Sequence, residues 1–301
     1  MRTYCLMIVF VLSGAGVALG QTRELILPVV VNGYVQAPLH YQTTFRIWNL
    51  SSAPAEVTLE AFNNSGAAVR ILELFPIARA GTTTVFRLEP LGSAEAATYG
   101  DVPSFNGWAR LTYPSSAAIQ ATAEIALIDA PPMPHPICHR PSSEIVATAL
   151  IPGMAAAMKF SGVAVIRPYR AGGYALVNPS ASTAATVFVS LLDLSGKLVA
   201  ASTIELGPQQ RTSQYLSEML PGAPSDFMGS LRITGTATVA AGSLNVLLPE
   251  VKFSSVSVNA LEPLACAQVI VAARNPLTGE CRVFPMPCVV PDGWLIVSSC
   301  K

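Results

Sequence analysis

The sequence predicts an all-β protein, with two tandem antiparallel β-sandwiches followed by a small disulfide-stapled C-terminal segment. Three observations carry this expectation. Apolar and polar residues alternate with period 2 over many short stretches separated by turn residues, as half-buried strands require. Most of residues 25–249 reads as two copies of one unit of about 100 residues, a normal domain size. Four of the six cysteines fall after residue 261, in a stretch with too little apolar sequence for a core of its own.

The first 20 residues, MRTYCLMIVFVLSGAGVALG, place Arg2 before an apolar run that ends in small residues at Ala18, Leu19 and Gly20. That run is shorter than the ~20 residues a spanning helix needs, so residues 1–20 read as a signal peptide cleaved before Gln21. Gln21 stands where a lipoprotein anchor would need cysteine. No later stretch is long and apolar enough to span a bilayer, and the expected location is extracellular.

Module 1 is expected over residues 21–128. In EVTLEAF, Val57, Leu59 and either Ala61 or Phe62 compete for the inner face while Glu56, Thr58 and Glu60 face water; in IQATAEIAL the odd positions from Ile119 to Leu127 are apolar. Asn63-Asn64-Ser65-Gly66 and Ala80-Gly81 punctuate these runs as turns. Many short strands in about 100 residues read as a sandwich of immunoglobulin-like type, without the Cys-Trp-Cys hallmark of antibody domains.

Residues 129–143, DAPPMPHPICHRPSS, form a joint whose five prolines favour an extended, semi-rigid linker that holds the sandwiches apart. His135, Cys138 and His139 lie within it. They fall short of the four ligands of a closed zinc site, and the prolines resist wrapping around an ion, so no metal is expected.

Module 2, residues 144–260, repeats the plan. YALVNPSASTAATVFVSLLDLSGKLV (174–199) matches FRIWNLSSAPAEVTLEAFNNSGAAV (45–69), pairing Asn178 with Asn49 and Ser195-Gly196 with Ser65-Gly66. Further out, FMGSLRITG (227–235) matches FNGWARLTY (105–113), ATVAAGSLNVLL (237–248) matches AAIQATAEIAL (117–127), and ALIPGMAAA (149–157) is set against LILPVVVNG (25–33). Residues 214–227 leave room for one helical turn before Pro221-Gly222. Over most of residues 25–249 this pattern, with the Asn178-Pro179 strand end and the Leu-rich turn of QYLSEMLPGAPSDF, resembles accessory β-sandwich modules of exported proteins from soil bacteria. Copy 1 departs from it, having Leu50 after Asn49 and an eroded turn. The resemblance implies fold and export, and it carries over no catalytic residue.

In the tail, residues 261–301, Cys266, Cys281, Cys288 and Cys300 allow three connectivities, and an exported chain would form disulfides. A hairpin of AQVIVAA and CRVF around residues 275–280 brings Cys266 near Cys288 and leaves Cys281 for Cys300. The Pro-rich loop 284–294 is then tethered at Cys288 and presents Trp294. Cys138 is left over, as a free thiol or the bond of a disulfide-linked dimer.

A net charge of zero with only 12% charged residues offers no cationic cluster for phosphates, so nucleic acid is not an expected partner. Catalysis is not expected either. The chain has three histidines, of which His40 stands alone and two lie in the joint, and it lacks a G-x-S-x-G elbow, an H-E-x-x-H pair and a phosphate-cradling glycine loop. Glu56 and Glu60 share one strand face, where acid/base chemistry would need them opposed across a cleft. No cofactor is expected. Two readings remain: an exported structural or adhesive scaffold, or a recognition module. The second would bind a glycan on Trp48 and Trp108, or inhibit a protease through the loop 284–291. Each tryptophan also has a core-packing reading.

Overall fold

The structure, a computed structural model, describes residues 21–36, 38–73, 79–98, 104–129, 145–167, 170–247, 252–256, 258–261 and 267–300. Residues 1–20, with Cys5, and residues 130–144, with His135, Cys138 and His139, lie outside these residues, as does Cys266.

The first sandwich contains β1 (Thr22–Gln36), β2 (Leu39–Asn49), β3 (Ala55–Asn63), β4 (Ala68–Val69), β5 (Ile71–Glu73), β6 (Arg79–Gly81), β7 (Thr83–Leu88), β8 (Ser93–Ala97), β9 (Phe105–Pro114) and β10 (Ile119–Asp129). Next come β11 (Ile145–Pro152), β12 (Ala157–Ile166), β13 (Arg170–Val177), β14 (Ala185–Leu192), β15 (Leu198–Leu206), β16 (Arg211–Tyr215), a single helical turn α1 (Leu216–Met219), and the 21-residue β17 (Phe227–Leu247). Short strands β18 (Lys252–Ser254) and β19 (Val258–Ala260) precede the tail strands β20 (Val271–Arg274), β21 (Cys281–Phe284) and β22 (Leu295–Val297). All pairings are antiparallel. Among the described residues no helix is long and apolar enough to cross a membrane.

Period-2 alternation sorts the side chains as expected. In sandwich 1 one sheet is built on β3, β9 and the first part of β1, and the other on β10, β2 and β8. Phe45, Ile47, Val57, Leu59, Leu111 and Ile125 fill the space between them. Sandwich 2 pairs β15–β14–β17–β12 in one sheet and the far half of β17 with β13 and β16 in the other, around Phe160, Val187, Val189, Leu231 and Ile233.

The matched stretches carry the same hydrogen bonds. Asn49 is fully buried; its Nδ2 donates to Ala53 O (2.8 Å) and Glu89 O (3.0 Å), while Oδ1 accepts from Ser51 N (3.0 Å). Asn178, equally buried, donates to Thr183 O (2.7 Å) and Gly207 O (2.9 Å) and accepts from Ser180 N (3.1 Å). Each asparagine thus ties a strand end to the next loop, whose Leu91 or Gln209 adopts φ of 57°. At the other end of the hairpins, Asn63 and Asp193 each accept from the backbone two and four residues on and from a serine hydroxyl, and Gly66 and Gly196 take the positive φ that closes the turn.

Two expectations are corrected by the register. Residues 149–157 do not replace residues 25–33: β11 is hydrogen-bonded to β10 of the first sandwich, Ile125 opposite Ala149 and Ala123 opposite Ile151. The place of Leu25, opposite Leu111, is taken in the second sandwich by Phe160, opposite Ile233. The cause is that Ala147, Ala149 and Ile151 alternate with exposed residues and so fit an open sheet edge. Strand 145–152, which opens module 2 on the sequence reading, therefore completes sandwich 1, and Met154 bridges to Ile26. β18 on β17 and β19 on β12 do the same for sandwich 2. The second correction is to the separation of the sandwiches, which are packed together.

Hydrogen bonds from the Ser195 hydroxyl, and then from the Lys197 and Ser195 backbones, hold the Asp193 carboxyl below its ordinary value of 3.8. Its folded-state pKa is depressed, so this contribution is complete above the unfolded value and is lost as pH falls through the folded one. Asn63 fills the same place without titrating. Asp193→Asn should therefore lose less stability than the parent between about pH 5 and pH 3 in denaturant titrations; an unchanged acid sensitivity would contradict the assignment.

Candidate functional site

Alternation in β9 sends Ala109 and Leu111 into the core and Trp108 to the outside of its sheet, beside Phe62 of β3. The two rings stack with centroids 4.5 Å apart. With Ile26 they would expose a large apolar patch, yet Trp108 is 0% exposed, because Val177 and Ala240 of sandwich 2 cover it. The Trp108 indole N–H donates across the junction to Gln209 O (3.0 Å). At the rim, Arg110 lies over the Phe62 ring at 5.3 Å and pairs with Glu60 at 2.9 Å.

Arg211, the first residue of β16, is 5% exposed. Its Nε donates to Pro28 O (2.8 Å), its Nη1 to Asn64 Oδ1 (2.7 Å) and its backbone N–H to Asn64 O (3.1 Å), all in the other sandwich. Burial pushes its pKa down to about 10, which leaves it cationic at neutral pH, and no carboxylate among the described residues compensates it. Close approach of the backbones is made possible by Gly242, where a Cβ would sit 2.4 Å from Pro28 Cγ.

Beyond Arg211 the junction opens. Period 2 puts Ser213 and Tyr215 on the same side of β16, and their partners on β13 are the small Ala175 and Gly173. The result is a cleft of about 340 Å³ between Val29, Val31 and Tyr41 on one side and Arg211, Ser213 and Tyr215 on the other. Burial, and secondarily the proximity of Tyr215, raises the pKa of Tyr41 above 10.0. Glu218 at the cleft wall accepts from the Tyr215 backbone N–H (2.9 Å), which starts α1.

The residues singled out from sequence are dispersed. Trp48 is half-buried on the outer face of β2, whereas Trp108 is sealed in the junction, so the two form no stacking platform for a glycan. Trp294 is 8% exposed and packs edge-on against Phe188 (5.5 Å) and Phe284 (5.8 Å). Phe284, Val289 and Val290 of the loop 284–291 are buried against sandwich 2, with Lys159 donating to Val290 O and pairing with Asp292, both at 3.0 Å. That loop is a lid and not a protruding inhibitor segment. β20 and β21 form the expected hairpin, and Cys281 is bonded to Cys300. Cys288 is also disulfide-bonded, with a partner outside the described residues. His40 is fully buried, its ring edge-on to Tyr34. Glu56 and Glu60 pair with Arg87 and Arg110.

Arg211 and the cleft were not among the residues singled out from sequence. The available signal was an arginine opening a strand whose same-face neighbours are Ser213 and Tyr215. Comparison with protein-family models, curated proteins and solved structures finds no match to this chain.

Trp108→Ala should lower the unfolding free energy by about 3–5 kcal/mol, because it empties a fully buried site and strips Gln209 O of its donor. A loss under about 1 kcal/mol in denaturant titration would mean that the junction is not closed in solution.

Proposed function

We propose that this chain is an exported, non-catalytic structural or adhesive protein in which two copies of one sandwich unit are fused into a single rigid scaffold. The observation that carries the reading is the junction itself: the apolar outer face of sandwich 1 is covered by sandwich 2, so loops and sheet edges of both are held in one fixed arrangement. Paired hydrogen bonds at Asn49 and Asn178, and at Asn63 and Asp193, support duplication of one unit. The Cys281–Cys300 bond supports an oxidising compartment, as does the leader-like start of the sequence. Binding in such proteins resides in loops and edges displayed by the rigid body.

Expression of the full chain in a bacterial host, followed by mass spectrometry of the exported fraction, tests this reading. The expected product begins at Gln21 and yields a Cys281–Cys300 disulfide peptide. A cytosolic product that keeps Met1 and reduced cysteines would overturn it.

A further inference from the structure

The buried arginine does more than the junction needs. Its recorded acceptors, Pro28 O and Asn64 Oδ1, are neutral, and a neutral donor could satisfy them without desolvating a cation. A guanidinium has five N–H donors in a planar fork suited to a carboxylate. The side-chain hydrogen bonds use Nε and Nη1, and Arg211 is among the residues that line the cleft. The walls above it are built for a polar ligand with a compact body: Tyr41 from one sandwich, Tyr215 from the other, and Asn106, Ser213 and Gln214 as hydrogen-bonding groups. Gly173 and Ala175 keep the space between them open. A volume of about 340 Å³ falls within the range of small-molecule pockets.

We propose that this cleft binds a small organic acid, its carboxylate on Arg211 and its body between Tyr41 and Tyr215. The ligand supplies a counter-charge that no carboxylate among the described residues provides. Glu218 stands in the wall, with one carboxylate oxygen engaged by the Tyr215 amide, and disfavours ligands that carry a second negative charge. The acid can be a sugar acid or the C-terminus of a short peptide, since both present the same carboxylate. The inference is independent of whether the protein is exported or structural.

The test is a titration of the ¹⁵N-labelled mature chain with D-galacturonate, with the dipeptide alanylalanine, and with D-galactose as the uncharged control, at millimolar concentrations and low salt. Galacturonate is expected to shift Ser213, Tyr215 and Asn106 amides and to bind at least tenfold tighter than galactose if sugar acids are the source; alanylalanine takes that role if peptides are. Arg211→Lys should weaken binding at least tenfold. Because that variant disturbs the junction, Ser213→Trp, at an exposed position, serves as the second: it should abolish binding while leaving the unfolding midpoint unchanged. Galactose binding as tightly as the acid that binds best, binding of that acid retained in Ser213→Trp, or no shift at the cleft with either acid would overturn the proposal.

Discussion

The arrangement of the whole molecule depends on one buried contact, in which the Arg211 guanidinium of the second sandwich reaches a carbonyl and an amide oxygen of the first. Taking a cation out of water costs several kcal/mol, and charge-assisted hydrogen bonds, at about 1.5–3 kcal/mol each, offset much of that cost. The contact is stable only because Ile26, Phe62 and Trp108 close against Val177 and Ala240 around it and keep water away. Direction comes from the hydrogen bonds and most of the free energy from the apolar face. Together they turn two domains on a Pro-rich joint into one body.

The same solution recurs at the other end of the chain. Sandwich 2 has its own outward-facing apolar side chain on the equivalent sheet, Phe188, and here the covering element is the tail, through Phe284 and Trp294. Asp292 fastens that cover by pairing with Lys159 at 3.0 Å and lying 3.6 Å from Arg232. The tail therefore stands in the place that a third sandwich would occupy, as a terminal cap does in a repeat array. Differences between the matched positions fit these roles. Where sandwich 1 has Trp108 facing its neighbour, sandwich 2 has Ser230, half-buried. Asn63 and Asp193 make the same turn with and without charge.

Much of the fold was legible in the sequence because strand alternation and turn chemistry are local. The hairpins ending in Asn49 and Asn178, the Asn63 and Asp193 turns, the helical turn at Leu216 and the tail hairpin all follow from residues within a few positions of one another. What was not legible is set by partners distant in sequence. Alternation in 145–152 says that one face is buried, but it fits the edge of β10 as well as the start of a new sandwich. Trp108 alternates correctly for an outward position, and only the second sandwich, 101 residues away at Gln209, decides that outward is not solvent. Arg211 carries no motif at all; its meaning lies in a contact across 183 residues.

The central claim is that the two sandwiches move as one body, and backbone N–H residual dipolar couplings of residues 21–301 test it most directly. If the junction around Arg211 and Trp108 is closed, couplings from residues 22–129 and from residues 157–247 will fit a single alignment tensor of one magnitude and orientation. Two tensors of different magnitude, one for each sandwich, would show independent motion and contradict the account.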